Sequence, residues 1–177
     1  MLCRLSPKAF FSGFTLIEVM TILVIVGILA SVGIPSGINF YNRNNLDTAH
    51  SKLYGALRTA RSNARASLQG RSWQVELVTQ GDDLVAVVED VDGLCNEPTP
   101  CQSIRLGNYV ELVEATFANG TNGSGIAEFN TEGEAIGTGG FNTGTFSIES
   151  KYSGDRRCVI VSTILGAMRK ASDAGCS

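Results

Sequence analysis

Glu18 is the only charged residue in the 21-residue run from Phe14 to Ile34, FTLIEVMTILVIVGILASVGI. A carboxylate inside an apolar helix costs a few kcal/mol, so this position demands a partner that neutralises it. A second group able to do chemistry is the cysteines. Cys3 sits in the basic stretch before the apolar run, which leaves Cys95, Cys101, Cys158 and Cys176. Four cysteines in an exported chain read as two disulfides. Of the three connectivities, the local one, Cys95 with Cys101 and Cys158 with Cys176, needs the least rearrangement. Neither spacing is C-x2-C, and the only histidine, His50, lies far away in a helical pattern, so no metal site is expected. A third group is the cluster of bases Lys151, Arg156, Arg157, Arg169 and Lys170, which could meet the phosphates of a nucleic acid with salt-sensitive affinity and little sequence preference.

Catalysis has little to work with. A lone histidine flanked by small and polar residues reads as a packing or exposed residue rather than a general base. The glycine-rich strings lack G-x-x-x-x-G-K-[ST] and read as turns. The acidic turns at Asp82-Asp83 and at Asp90 and Asp92 lack the spacing and closing glutamate of a calcium loop. The expectation is a protein that is not an enzyme and holds no cofactor.

The elements that must position these residues follow from periodicity. The chain has 177 residues, 44% of them hydrophobic, enough for one globular domain behind an anchor. At 1.5 Å per residue the Phe14–Ile34 run spans about 30 Å, the thickness of a bilayer's hydrocarbon core. Arg4 and Lys8 precede it with no acid, which predicts a cytoplasmic amino terminus. The run is too long for an ordinary secretory signal and has no small-residue cleavage site after it. From Ile38 to about Gln69, Leu46, Ala49, Leu53, Ala56, Leu57, Ala60, Ala64 and Leu68 recur at helical spacing, and Gly70 is a natural stop. The opposite face carries Arg43, Lys52, Arg58, Arg61, Arg65 and, just beyond, Arg71 against Asp47 alone, which reads as a solvated face. After Gly70 short alternating runs at Ser72–Val78, Leu84–Glu89, Tyr109–Phe117, Ile126–Asn130, Phe141–Glu149 and Arg157–Leu165 are separated by glycine- and aspartate-rich turns. The expected fold is α+β. A long amino-terminal helix spans the membrane with its hydrophobic half, and its amphipathic half packs on antiparallel β-sheets.

Charge is unevenly distributed. Glu76 to Glu149 holds thirteen acids against Arg105 alone, whereas Lys151 to Ser177 holds five bases against Asp155 and Asp173. Such asymmetry favours head-to-tail electrostatic contact or an anionic ligand.

The string Gly13-Phe14-Thr15-Leu16-Ile17-Glu18, behind a short basic leader and ahead of an apolar run, resembles the type IV pilins and type II secretion pseudopilins. The resemblance implies a leader, residues 1–13, that a prepilin peptidase removes between Gly13 and Phe14, with methylation of the new amino terminus at Phe14. It implies that Glu18 pairs with the amino terminus of a neighbouring subunit, and that Pro35 marks a helix kink between the filament-core helix, 14–35, and the amphipathic helix, 36–70. The β domain would then be 71–177, on the periplasmic side of a bacterial inner membrane before incorporation into a pilus or pseudopilus. The partners implied are other pilin subunits, the peptidase and the membrane.

Further along, Phe129-Asn130-Thr131-Glu132-Gly133, Phe146-Ser147-Ile148 and Arg157 to Ser162 up to Gly166 are similar to the minor pilins FimT and FimU and the type II secretion H pseudopilin. Relatives in that group often close with a disulfide from the last strand to the carboxy terminus, which fits Cys158 with Cys176. In FimT-like relatives a Gly-Arg-x-Arg motif contributes to DNA binding in natural transformation. Here the corresponding residues are Gly166-Ala167-Met168-Arg169 followed by Lys170, which keeps the glycine and the second arginine and lacks the first.

Overall fold

A computed structural model describes residues 15–67, 70–92, 101–117, 125–137, 140–141, 144–162 and 165–176. It divides into two units, Met1–Ile38 and Asn39–Ser177. One helix, α1 (Leu16–Ala66), contributes to both. Gly13 and Phe14 lie outside the described residues, as do Leu68 and Cys95.

In the first unit, α1 begins on Thr15, whose hydroxyl and carbonyl both receive the Glu18 N–H, a side-chain cap that satisfies one of the helix's orphan donors. Further along, Thr21 donates its hydroxyl to the Ile17 carbonyl and Ser31 donates to the Ile28 carbonyl. The hydroxyls of Thr21 and Ser31 are thus turned back onto the helix itself. That is the arrangement a span needs in a solvent without hydrogen bonds. The helix runs through Pro35.

The second unit is built on the rest of α1. Leu46, Ala49, Leu53, Ala56, Leu57, Ala60 and Ala64 are all fully buried, the stripe that the 3.6-residue period predicts. They pack into one core with Val75, Val88, Leu106, Phe129, Phe146, Ile148 and Val159 from two antiparallel sheets. One sheet contains β1 (Trp73–Gln80), β2 (Asp83–Asp90), β3 (Gln102–Gly107), β5 (Ile126–Phe129), β6 (Ala135–Gly137) and β7 (Gly140–Phe141), in the order β3-β2-β1-β5-β6-β7. The other contains β4 (Val110–Ala115), β8 (Gly144–Ser150), β9 (Arg156–Val161) and β10 (Met168–Ser172), in the order β10-β9-β8-β4. The expected α+β layout, a long apolar helix carrying antiparallel sheets, is the layout observed.

Four differences have physical reasons. The helix stops at Ala66 rather than near Gln69, where Ser67 turns the chain by donating its N–H to the Ala64 carbonyl. The run expected from Arg157 to Leu165 is strand only to Val161, and Gly166, at φ 70°, then reverses the chain into β10. Likewise the run expected from Phe141 is divided between β7 and β8. Finally, β3 and β10 are edge strands with mostly exposed or half-exposed side chains, so neither shows the alternation by which a strand is read.

Gly166 is a position where only glycine fits. An added Cβ would stand 2.5 Å from the Gly133 carbonyl oxygen, on a backbone already in the left-handed region. Gly166→Ala is expected to destabilise the Asn39–Ser177 unit by about 2 kcal/mol or more, from backbone strain plus the displaced β5–β6 turn. The shift of the urea midpoint measures it.

Candidate functional site

Side chains along the first half of α1 are apolar and stand in the open. Leu16, Ile17, Val19, Met20, Ile22, Leu23, Val24, Ile25, Val26, Ile28 and Leu29 are between 46% and 79% exposed. Burying each such side chain is worth about 1.5–3 kcal/mol, so a helix of this kind does not stay in water. It is long and apolar enough to cross a membrane. Glu18 lies in its first turn and forms no ion pair among the described residues. The first half of α1 thus leaves an apolar surface uncovered, with one carboxylate in its first turn.

The bases grouped by the sequence are not one patch. The β9–β10 register sets Lys170 against Val159, Arg169 against Ile160 and Ser172 against Arg157. Side chains alternate between faces along a strand. Arg157 and Lys170 therefore share the face toward α1, and Arg156 and Arg169 share the other. Contacts agree with that division. Arg157 reaches Asp47 on α1 at 2.8 Å and Asp173 at 3.5 Å. Lys170 donates to the Ser51 hydroxyl at 3.0 Å and lies 5.2 Å over the Tyr54 ring. Arg156 is held by Glu149 at 2.6 Å. Arg169 is exposed. Lys151 donates to the Asp82 carbonyl at 3.4 Å, so four of the five bases already have protein partners.

Cys158 and Cys176 are joined by a disulfide with Cα atoms 5.7 Å apart, which fastens the carboxy-terminal 3-10 turn Asp173–Cys176 onto β9. Cys101 is also disulfide-bonded, and its expected partner Cys95 falls outside the described residues.

His50 is buried against β9, and its Nε2–H donates to the Cys158 carbonyl at 2.9 Å. Burial is the main cause holding its pKa below the usual histidine value. Lys170 and Arg157 add to that effect, while the Cys158 hydrogen bond and Asp47 oppose it. The folded state therefore resists protonation that the unfolded chain accepts. Stability present above about pH 6.5 is lost as pH falls through the histidine range. Burial raises the Glu128 pKa, which acts in the opposite direction on acidification. The His50 contribution is therefore expected as a difference: between about pH 7.5 and about pH 5 the parent should lose more stability than His50→Asn does. Urea titrations of both chains at each pH measure it.

The supposed solvated face of α1 is partly engaged. Arg43 pairs with Asp155, Lys52 donates to the Arg105 carbonyl, and Arg61 donates to the Gly133 and Leu165 carbonyls at 3.0 and 2.7 Å. Arg61 thereby ties the helix to the β5–β6 and β9–β10 turns. Sequence reading missed that role because its acceptors are backbone carbonyls 72 and 104 residues away. Of the acidic turn residues, Asp90 is buried and faces Arg71 at 2.8 Å rather than a free cation position. Among the described residues no group of three or more His, Cys, Asp or Glu side chains is placed to hold a metal ion.

No family model and no solved structure matches the chain. A fimbrial protein from Moraxella nonliquefaciens is 24% identical over 147 residues, covering 79% of this chain and 92% of that protein. The layout of the fold, a long apolar amino-terminal helix on antiparallel sheets, is pilin-like.

Proposed function

We propose that the chain is a minor pilin or pseudopilin that is inserted in the inner membrane by α1, processed by a prepilin peptidase and incorporated into a filament, whose assembly it joins or primes. The observation that carries this reading is the exposed apolar helix with one carboxylate in its first turn, ahead of a unit whose core is complete without it. In the membrane the helix is covered by lipid. In the filament it is covered by the same helices of neighbouring subunits. Cleavage between Gly13 and Phe14 creates an amino terminus, methylated on Phe14, and Glu18 of one subunit neutralises the terminus of the next. Pro35, lacking an N–H, weakens the helix between its two tasks. The Asn39–Ser177 unit is then on the periplasmic or filament-surface side. Immunogold electron microscopy of sheared filaments with an epitope on this unit tests the reading. Label along or at the tip of filaments is expected, and label confined to membrane fragments would overturn it.

The exposure of Arg169 on edge strand β10, next to Lys170, favours a second reading as a DNA-binding minor pilin serving uptake. That reading expects salt-sensitive retardation of DNA that weakens when both residues become alanine. Equal retardation by parent and variant would sink it. The choice between a type IV pilus and a type II secretion pseudopilus is decided by which filament carries the label.

A further inference from the structure

The bases of the Asn39–Ser177 unit differ in what faces them. Arg43 faces Asp155, Arg71 faces Asp90, Arg156 faces Glu149, and Arg157 faces both Asp47 and Asp173. Their charge is cancelled where it stands. Arg58, Arg61, Arg65 and Lys170 form no ion pair among the described residues. Arg61 donates to the Gly133 and Leu165 carbonyls, and Lys170 to the Ser51 hydroxyl while lying over the Tyr54 ring. These neutral partners hold the two cations in place and leave their charge whole.

The four cations form one line. Ser51, Tyr54, Arg58, Arg61 and Arg65 follow one another on α1 at intervals of three and four residues, the spacing of a single helix face. Lys170 of β10 rests on the first two, and Leu165, just before β10, meets Arg61. This face of α1 therefore runs beside edge strand β10. From Tyr54 to Arg65 it rises roughly 16 Å. At its far end Arg58, Arg61 and Arg65 wall a depression of about 390 Å³ with Ser62 and Ala66, and among the described residues no acid lines it. Arg65 lies against Gly133, where an added Cβ would stand 2.5 Å from its Cδ. At the near end Asp47, four residues before Ser51 on the same face, is taken by Arg157. Glu134, beyond the Gly133 turn, accepts from the Asn130 amide, and Glu132 is exposed and pairs with none of the four cations.

One carboxylate would satisfy one of these cations. A line of four suits an anion whose charges repeat. Duplex DNA carries about one negative charge per 1.7 Å of axis, on phosphates that a guanidinium grips with two parallel hydrogen bonds. Contacts of that kind hold the backbone and read no sequence. Arg156 and Arg169 stand on the other face of the β9–β10 pair and do not join the line.

We infer that DNA phosphates lie along the ridge formed by Lys170, Arg58, Arg61 and Arg65, so that the nucleic-acid contact is on α1 and not at the exposed Arg169. The inference rests on the DNA-binding reading above and moves its site from strand to helix.

The test uses the full chain in phosphatidylcholine nanodiscs, with Arg4→Gln and Lys8→Gln throughout so that the leader adds no cation. Binding of a fluorescent duplex of mixed sequence is titrated against salt. Four contacts predict a slope of roughly −3.6 for log affinity against log salt. Arg58→Ala with Arg65→Ala should flatten that slope by about two and weaken binding about tenfold at low salt. Arg58→Lys with Arg65→Lys, which keeps the charge, should stay within about threefold of the parent. Arg169→Ala alone should change binding less than about twofold, and poly-glutamate should displace the duplex only in about tenfold excess of charge. A loss from the lysine pair as large as from the alanine pair, or from Arg169→Ala as large as from either, would overturn the site. Displacement by poly-glutamate at equal charge would assign the ridge to an acidic protein and overturn it too. Binding that falls with Arg169→Ala and Lys170→Ala together, yet ignores Arg58 and Arg65, refutes this site alone. A parent without salt-sensitive binding refutes the DNA-binding reading itself.

Discussion

Glu18→Ala is expected to leave the chain in the membrane at its normal level and folded, yet reduce its recovery in sheared filaments by two orders of magnitude or more. The argument is one of differential solvation. Removing the carboxylate makes the apolar helix easier to hold in lipid, where a charge costs roughly 3 kcal/mol. If Glu18 pairs with the amino terminus of the adjacent subunit as proposed, the same change strands that positive group inside the filament core, and an unpaired buried charge costs several kcal/mol at every contact. About 1.4 kcal/mol is a factor of ten in an equilibrium constant, so even a modest part of that cost suppresses incorporation strongly. Quantitative immunoblotting of the sheared and membrane fractions measures it, and Glu18→Gln should be impaired as well, since an amide cannot neutralise an ammonium group. Because Glu18 belongs to the first unit, thermal unfolding of the Asn39–Ser177 unit should be unchanged.

Phe146→Ala should do the reverse. Phe146 is fully buried, and its ring centroid lies 4.6 Å from that of Phe117. Glycine at 125 lets the chain pass so close that an added Cβ there would be 2.9 Å from the Phe146 ring. A site this tightly enclosed cannot collapse around the lost ring, so the loss is expected at about 3–5 kcal/mol, a large part of the stability of a domain this size. Urea denaturation of the Asn39–Ser177 unit measures it. The processing proposed at the other end of the chain should continue, but the product should be degraded rather than accumulate.

The stripe from Leu46 to Ala64 was legible in the sequence because burial on a helix repeats every 3.6 residues, and β1 was legible because burial alternates along most of it. Strand β10 was not, since an edge strand with exposed Arg169 and Lys170 carries no apolar alternation and is defined by its pairing to β9. The split of the bases over two faces was hidden for the same reason: Arg157 and Lys170 meet α1 only through a register that no local spacing encodes. His50 drew attention as a lone imidazole. Its role depends on a carbonyl 108 residues away. The exposed apolar helix with Glu18 in its first turn was legible without long-range information, because an apolar run with one charge is a local pattern.

The most direct measurement is the mass and amino-terminal peptide of the full chain recovered from membranes. The account predicts a chain that has lost the 13 residues Met1–Gly13, starts at Phe14, carries one added methyl group and retains the apolar helix. A chain that keeps Met1 to Gly13, or one cut after the helix as a secretory signal would be, contradicts it.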